Sequence, residues 1–209
     1  YENRVHRYAF YDTKTALANR NLLNYELERL TEGEAGSTRI ALLNVELINF
    51  RTINNTYGHN VGDQIIVKVA EILEKLVEDK DMIARSGTSQ FILVIPNLRD
   101  REHALTYANE IMEAFSRPVA THQDIEALFI DISIGIALYP EDGRKVDLLL
   151  RNVDLAGYNA RFGNNRITFF SEQMQEYISD NTTLTNRLFD ALKRKEFFLE
   201  FQLDCLTFH

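Results

Sequence analysis

A chain of 209 residues, 45% of them hydrophobic, has enough apolar side chain for one domain core plus an attachment, which excludes a disordered chain. Its 31 acidic and 23 basic side chains leave a formal charge of −8 with no basic block, which argues against a nucleic-acid partner because phosphate neutralisation dominates that affinity. The single cysteine, Cys205, excludes an internal disulfide and fits a reducing, cytoplasmic setting, and no apolar run reaches the ~20 residues that span a bilayer.

The chain opens on Tyr1 and stops at His209 just after a strand-like run, so a piece of a longer protein is expected, whose other parts could be membrane-attached. Residues 1–11, polar with scattered aromatics, read as the end of an upstream linker helix. Loop-like 12–20 follows, where Asn19 can cap a helix with Leu22, Leu23, Leu27 and Leu30 as its stripe and Gly33 and Gly36 at its end. Residues 39–47, RIALLNVEL, read as a strand with Glu46 near its C-terminal end. A short helix is expected over 50–56, a turn at Tyr57, Gly58 and His59, and then a long helix with Val61, Ile65, Val69, Ile72 and Leu76 at helical spacing.

Residues 82–96, MIARSGTSQFILVIP, read as a β-hairpin: two apolar runs about a break at 86–90, with Gly87 supplying the freedom for a tight turn. Ala104, Ala108, Ile111 and Phe115 mark the next helix, which Pro118 ends. Residues 125–139 read as a long strand, with Leu128, Ile130, Ile132, Ile134 and Ile136 on one face and Asp131, Ser133 and Gly135 on the other. A turn at 140–143, a helix over Val146 to Ala160 and a strand over 166–170 complete this part. A helix over 171–196, with Leu184, Leu188, Ala191 and Leu192 as its stripe, and a strand over 197–201 are expected beyond it.

From 39 to 139 the order strand, helix, strand, strand, helix, strand predicts an α+β fold of the ferredoxin-like, βαββαβ kind, with a central, mostly antiparallel sheet flanked by helices. In that topology the first and second strands run parallel with the third between them. Glu46 and the hairpin tip should then be neighbours, although about forty residues separate them.

Several segments then resemble one family in order and spacing. NNTYGHNVGDQII (54–66) and ARSGTSQF (84–91) are similar to the GGDEF domain, a nucleotide-cyclase-like fold that makes cyclic di-GMP from two GTP molecules. DTKTALANR resembles the family's opening DPLTGLPNR, DISIGIALYP its SIGVA strand, and VDLAGYNARFGNNR its ADxALYxAKxxGRNR helix end. FFSEQM and RLFDALKRKEFFLEFQL, between 169 and 203, resemble the join to a following EAL phosphodiesterase domain. The resemblance implies a GGDEF domain over 12–170, a linker helix over 171–196 and only the opening strand of an EAL domain over 197–209.

The resemblance also assigns roles. The family holds two magnesium ions on GTP phosphates with an Asp at the end of the first strand, the next carbonyl and the acidic signature residues, since magnesium wants carboxylate oxygens. Glu46 stands at the Asp position and Leu47 at the carbonyl. The signature reads Gly87, Thr88, Ser89, Gln90, Phe91, so Ser89 and Gln90 replace its two carboxylates. One charge pair at ~4 Å is worth about 4 kcal/mol at an effective dielectric near 20, so magnesium is expected to bind weakly or not at all. Asn54 and Asp63 match the guanine contacts, Arg161 a phosphate cation and Arg51 a further cation, with Asn164 roughly at another and Phe50 packed under the site.

Each assignment has a plain alternative: Asn54 and Asp63 suit helix N-terminal turns, and Arg51 and Arg161 are ordinary helix-surface cations. The family's RxxD product-inhibition motif falls on 78–81 with Glu78 in place of the Arg, which disfavours feedback inhibition there. The expected function is a non-catalytic regulatory domain in cyclic di-GMP signalling. It would bind GTP or another guanine nucleotide and act on an EAL domain in cis, with an upstream sensor and a possible homodimer. A ligand-free structural or dimerisation module and a weakly active cyclase are the alternatives.

Overall fold

The computed structural model describes residues 7–32, 38–121, 127–175 and 193–194. The chain forms two compact units, Tyr1–Ser171 and Glu172–His209. In the second, 173–175 are helical. Most of the expected linker helix, its leucine stripe and the 197–201 strand lie outside the described residues, as do Gly33 and Gly36.

The first unit is a five-stranded sheet with helices on both faces. In chain order its elements are α1 (Arg20–Thr31), β1 (Ile40–Leu47), α2 (Phe50–Tyr57), α3 (His59–Glu74), β2 (Met82–Arg85), β3 (Gln90–Pro96), α4 (Arg101–Ala114), β4 (Ile132–Tyr139), α5 (Val146–Phe162) and β5 (Ile167–Phe169). The strands lie in the order β2-β3-β1-β4-β5. β3 runs antiparallel to both β2 and β1, so β1 and β2 are parallel with β3 between them, and β4 is antiparallel to β1. This is the expected split arrangement, extended by β5 parallel to β4.

Both faces of the central strands are covered, which is why IALLNVEL is nearly continuously apolar. Ala41, Leu43, Val45 and Leu47 join Phe91, Leu93, Ile95 and the even-numbered isoleucines of β4 in one core with α2, α3 and α4. Ile40, Leu42 and Asn44 face the other way, towards the side closed by α5. There β4 and α5 approach so closely that a Cβ on Gly135 would stand 2.0 Å from the Gly157 nitrogen.

Three expectations need correction. β4 begins at Ile132, seven residues later than expected; before it, Leu128 only bridges to Val119, and Asn49 holds the 129–131 backbone by donating to the Phe129 carbonyl at 2.9 Å and accepting from the Asp131 N–H at 3.1 Å. Both of its faces are buried, Ser133 as fully as the isoleucines opposite. In α3 the buried stripe runs through Val61, Ile65, Val69 and Leu73; Ile72 is only partly buried, and Leu76, past the helix end at Glu74, packs against the same core. Gly87 does not adopt a left-handed backbone; the N–H groups of Ser86 and Gly87 both turn onto the Gln90 carbonyl, at 3.1 and 3.4 Å, and a Cβ there would meet that of Gln90 at 3.3 Å. The helix cap at Asn19 is as expected, its side chain accepting from the N–H groups of Asn21 and Leu22.

Candidate functional site

Two groups of predicted site residues gather at the C-terminal end of β1. The first surrounds the hairpin tip. Strand register places Glu46 opposite Gln90 on one side and Ser133 on the other, and the Leu47 N–H donates to the Ser89 carbonyl at 2.9 Å. From the end of α5, Arg161 reaches across to Glu46, Nη1 to Oε1 2.5 Å. The carboxylate expected to face a metal and the cation expected to face a phosphate therefore pair with each other. Thr88 is exposed, while Phe91 is wholly buried in the core.

The second group is the corner between α2 and α3. Gly58, with φ of +87°, turns the chain from one helix into the other, a conformation that favours glycine. Asn54 lies against the first turn of α3 at Gly62, and Phe50 packs beneath with 6% of its surface exposed. Asp63, the next residue along α3, forms an ion pair with Lys14, both side chains about half exposed. Arg51 and His59 are exposed, and among the described residues Arg51 forms no ion pair.

Residues outside the predicted set hold these groups in place. Arg85 Nη1 donates to both carboxylate oxygens of Asp12, at 3.1 and 3.2 Å, and its Nη2 to the Thr88 carbonyl at 3.1 Å, so one guanidinium ties the hairpin tip to the segment ahead of α1. Burial pushes the Asp12 carboxyl up, but hydrogen bonds from the Thr15 hydroxyl and N–H and the Arg85 charge outweigh it and hold it below the usual value. Beneath the tip, Oδ1 of Asp154 accepts from Gln90 Nε2 at 3.1 Å and from buried Asn44 Nδ2 at 3.2 Å. Burial pushes the Asp154 carboxyl up, opposed by the Arg20 charge and the Gln90 hydrogen bond. Asp81 of the 78–81 stretch accepts from the Glu78 N–H at 2.8 Å and the Tyr107 hydroxyl at 2.7 Å, and Glu78 pairs with Lys80.

The profile of the family described as diguanylate cyclase, GGDEF domain, matches residues 9–166. This chain belongs to the GGDEF family. It is 35% identical over 198 residues, 93% of this chain and 28% of the other, to MucR of Pseudomonas aeruginosa, a bifunctional diguanylate cyclase/cyclic di-GMP phosphodiesterase. Among solved structures it is similar to the GGDEF domain of TpbB from the same species (TM-score 0.75, 26% identical, 81% of this chain and 99% of that one). It is also similar to the coiled coil and GGDEF domain of DgcB from Caulobacter crescentus in complex with c-di-GMP (TM-score 0.71, 30% identical, 80% of this chain and 89% of that one). The chain spans about a quarter to a third of the length of curated relatives it matches, from 24% to 35%.

In this GGDEF domain, sequence reasoning missed Lys14, Asn44, Arg85 and Asp154 as members of the site. Asn44 left a trace, as a polar residue inside a buried strand, and so did Asp154, an acid set between Val153 and Ala156 of the α5 stripe. Lys14 and Arg85 left none, since a long cation ahead of a helix or a hairpin tip reads as surface. No helix among the described residues is long and apolar enough to cross a membrane.

Proposed function

We propose that this GGDEF domain is a non-catalytic regulatory unit of cyclic di-GMP signalling, which binds a guanine nucleotide at the α2–α3 corner and acts on an adjoining EAL phosphodiesterase domain. The observation that carries this reading is the Glu46–Arg161 ion pair facing a neutral Gln90 in register. Cyclase chemistry in the family needs anions left over to hold magnesium on GTP phosphates. Here the one carboxylate at that position is answered internally, Ser89 and Gln90 offer neutral oxygens only, and Asp154 is engaged by Asn44 and Gln90 beneath the tip. Among the described residues no three His, Cys, Asp or Glu side chains converge as a metal cage. This donor set does not fit a pair of magnesium ions, and no catalytic step is assigned to them.

At the other end, the half-exposed Asp63 carboxylate can accept from the N1–H and N2–H edge of guanine, and the Asn54 amide complements the rest of that edge. The EAL part of the reading is supported by the tail motifs and by the match to MucR, whose 198 aligned residues outrun the 9–166 family match. The test is calorimetry of GTP with and without magnesium, followed by chromatography of the incubation. Saturable heat and no cyclic product is the expected result; a healthy yield of cyclic di-GMP rejects the non-catalytic reading. No heat at millimolar GTP and an unchanged melting temperature would instead favour a ligand-free structural module, since a ligand of the native state must raise its stability. The observation on that side is Lys14, which already occupies Asp63.

A further inference from the structure

The α2–α3 crossing is closer at one point than side chains allow. A Cβ on Gly62 would stand 1.8 Å from Oδ1 and 2.9 Å from Cγ of Asn54, and 3.4 Å from Cε2 of Phe50. Phe50 and Asn54 are four residues apart on α2, so both project from one side of that helix onto the same spot of α3. Gly62 lies inside α3 without a left-handed backbone, so conformation does not require glycine there. Glycine weakens a helix relative to alanine, and what fills the space it leaves is a polar amide beside the residue that carries the Asp63 carboxylate.

We propose that Gly62 is the positioning residue of this corner: its missing side chain lets the Asn54 amide lie on the first turn of α3, where amide and carboxylate together meet a flat heterocycle bearing both donors and acceptors. The proposal rests on the nucleotide reading of the corner, and its test separates the two.

The test is Gly62→Ala in the full chain. The new Cβ meets the far end of a flexible side chain, so Asn54 swings aside and the fold survives, with a melting temperature that holds or rises as helix propensity predicts. GTP affinity falls at least about tenfold, as in Asn54→Ala, the size of one or two lost hydrogen bonds to the base. The double variant binds no more weakly than Asn54→Ala alone, because both changes remove the same contact. Without nucleotide, the Asn54 side-chain amide resonances, identified by their loss in Asn54→Ala, shift in Gly62→Ala. Unmoved resonances, or wild-type GTP affinity in Gly62→Ala, overturn the positioning role. A parent chain silent to millimolar GTP defeats the nucleotide reading, and the resonances alone then decide whether Gly62 sets Asn54.

Discussion

At the hairpin end of the site the paired side chains are largely covered, with relative exposures of 19% and 36% for Glu46 and Arg161 and 22% and 11% for Asp12 and Arg85. At the α2–α3 corner Lys14 and Asp63 keep 47% and 48%. An exposed pair is worth roughly 0–1 kcal/mol, because water and salt answer each charge separately, whereas removing one partner of a covered pair strands the other. The hairpin end has therefore committed its charges to the fold. The corner can exchange an internal partner for a ligand at little cost.

Arg85→Ala separates the two ends most strongly. It strands the Asp12 carboxylate and frees the Thr88 carbonyl, and the expected loss is about 2–3 kcal/mol, below the full cost of a buried pair because Thr15 still donates to Asp12. Urea midpoints measure it, and a loss no larger than that of Lys14→Ala would erase the distinction between the two ends. The pH dependence should change as well. Asp12 has a folded-state pKa lowered from 3.8, so its contribution is present above that value and fades as pH falls through the lower folded one; Arg85→Ala should flatten this acid limb.

Glu46→Gln comes next, at about 1 kcal/mol, since Gln keeps an oxygen for Arg161 but not the charge. Its use is in binding: with Arg161 held only by a neutral oxygen and its charge unanswered, magnesium-free GTP should bind several-fold tighter in calorimetry. Unchanged affinity would mean that the hairpin end holds nothing back from a phosphate. Asp154→Asn acts in the opposite sense to Arg85→Ala. The folded-state pKa of Asp154 is raised above 3.8, so the unfolded chain ionises first and stability is lost as pH rises through the folded value. An Asn oxygen still accepts from Asn44 and Gln90 without that loss, so the variant should match the parent below 3.8 and exceed it modestly at pH 7.

These pairings mark the limit of what the sequence disclosed. Strand order and the meeting of Glu46 with the hairpin tip follow from a topology that apolar runs and helical spacing announce, because burial imposes period on residues such as Leu43, Leu93 and Val69. The partners of the charges do not follow. Glu46 and Arg161 stand 115 residues apart and Lys14 and Asp63 49 apart, and each pair depends on where long side chains reach after the backbone is placed. Asp154 leaves a trace of its burial, but an acid within a helix stripe carries no mark of its partners. The start of β4 is hidden for a related reason: alternation continues through 128–131, yet the backbone there is taken up by an isolated bridge to Val119, by the Ile48 N–H and by the Asn49 side chain, and not by a strand ladder.

The smallest effect on stability should fall at the corner, and it decides how the corner is used. Lys14→Ala removes a cation about half exposed from a carboxylate about half exposed, so less than about 0.5 kcal/mol should separate its urea midpoint from the parent's. Nucleotide affinity, by contrast, separates two roles for Lys14. If it only neutralises Asp63 until a base arrives, Lys14→Ala frees the carboxylate for the N1–H and N2–H edge, and GTP binds tighter. If Lys14 instead stays and donates to the O6 acceptor of the same base, GTP weakens while a purine lacking O6 is unaffected. The ion pair makes the first outcome the expected one, because an ammonium already turned onto Asp63 must be moved before guanine can take its place.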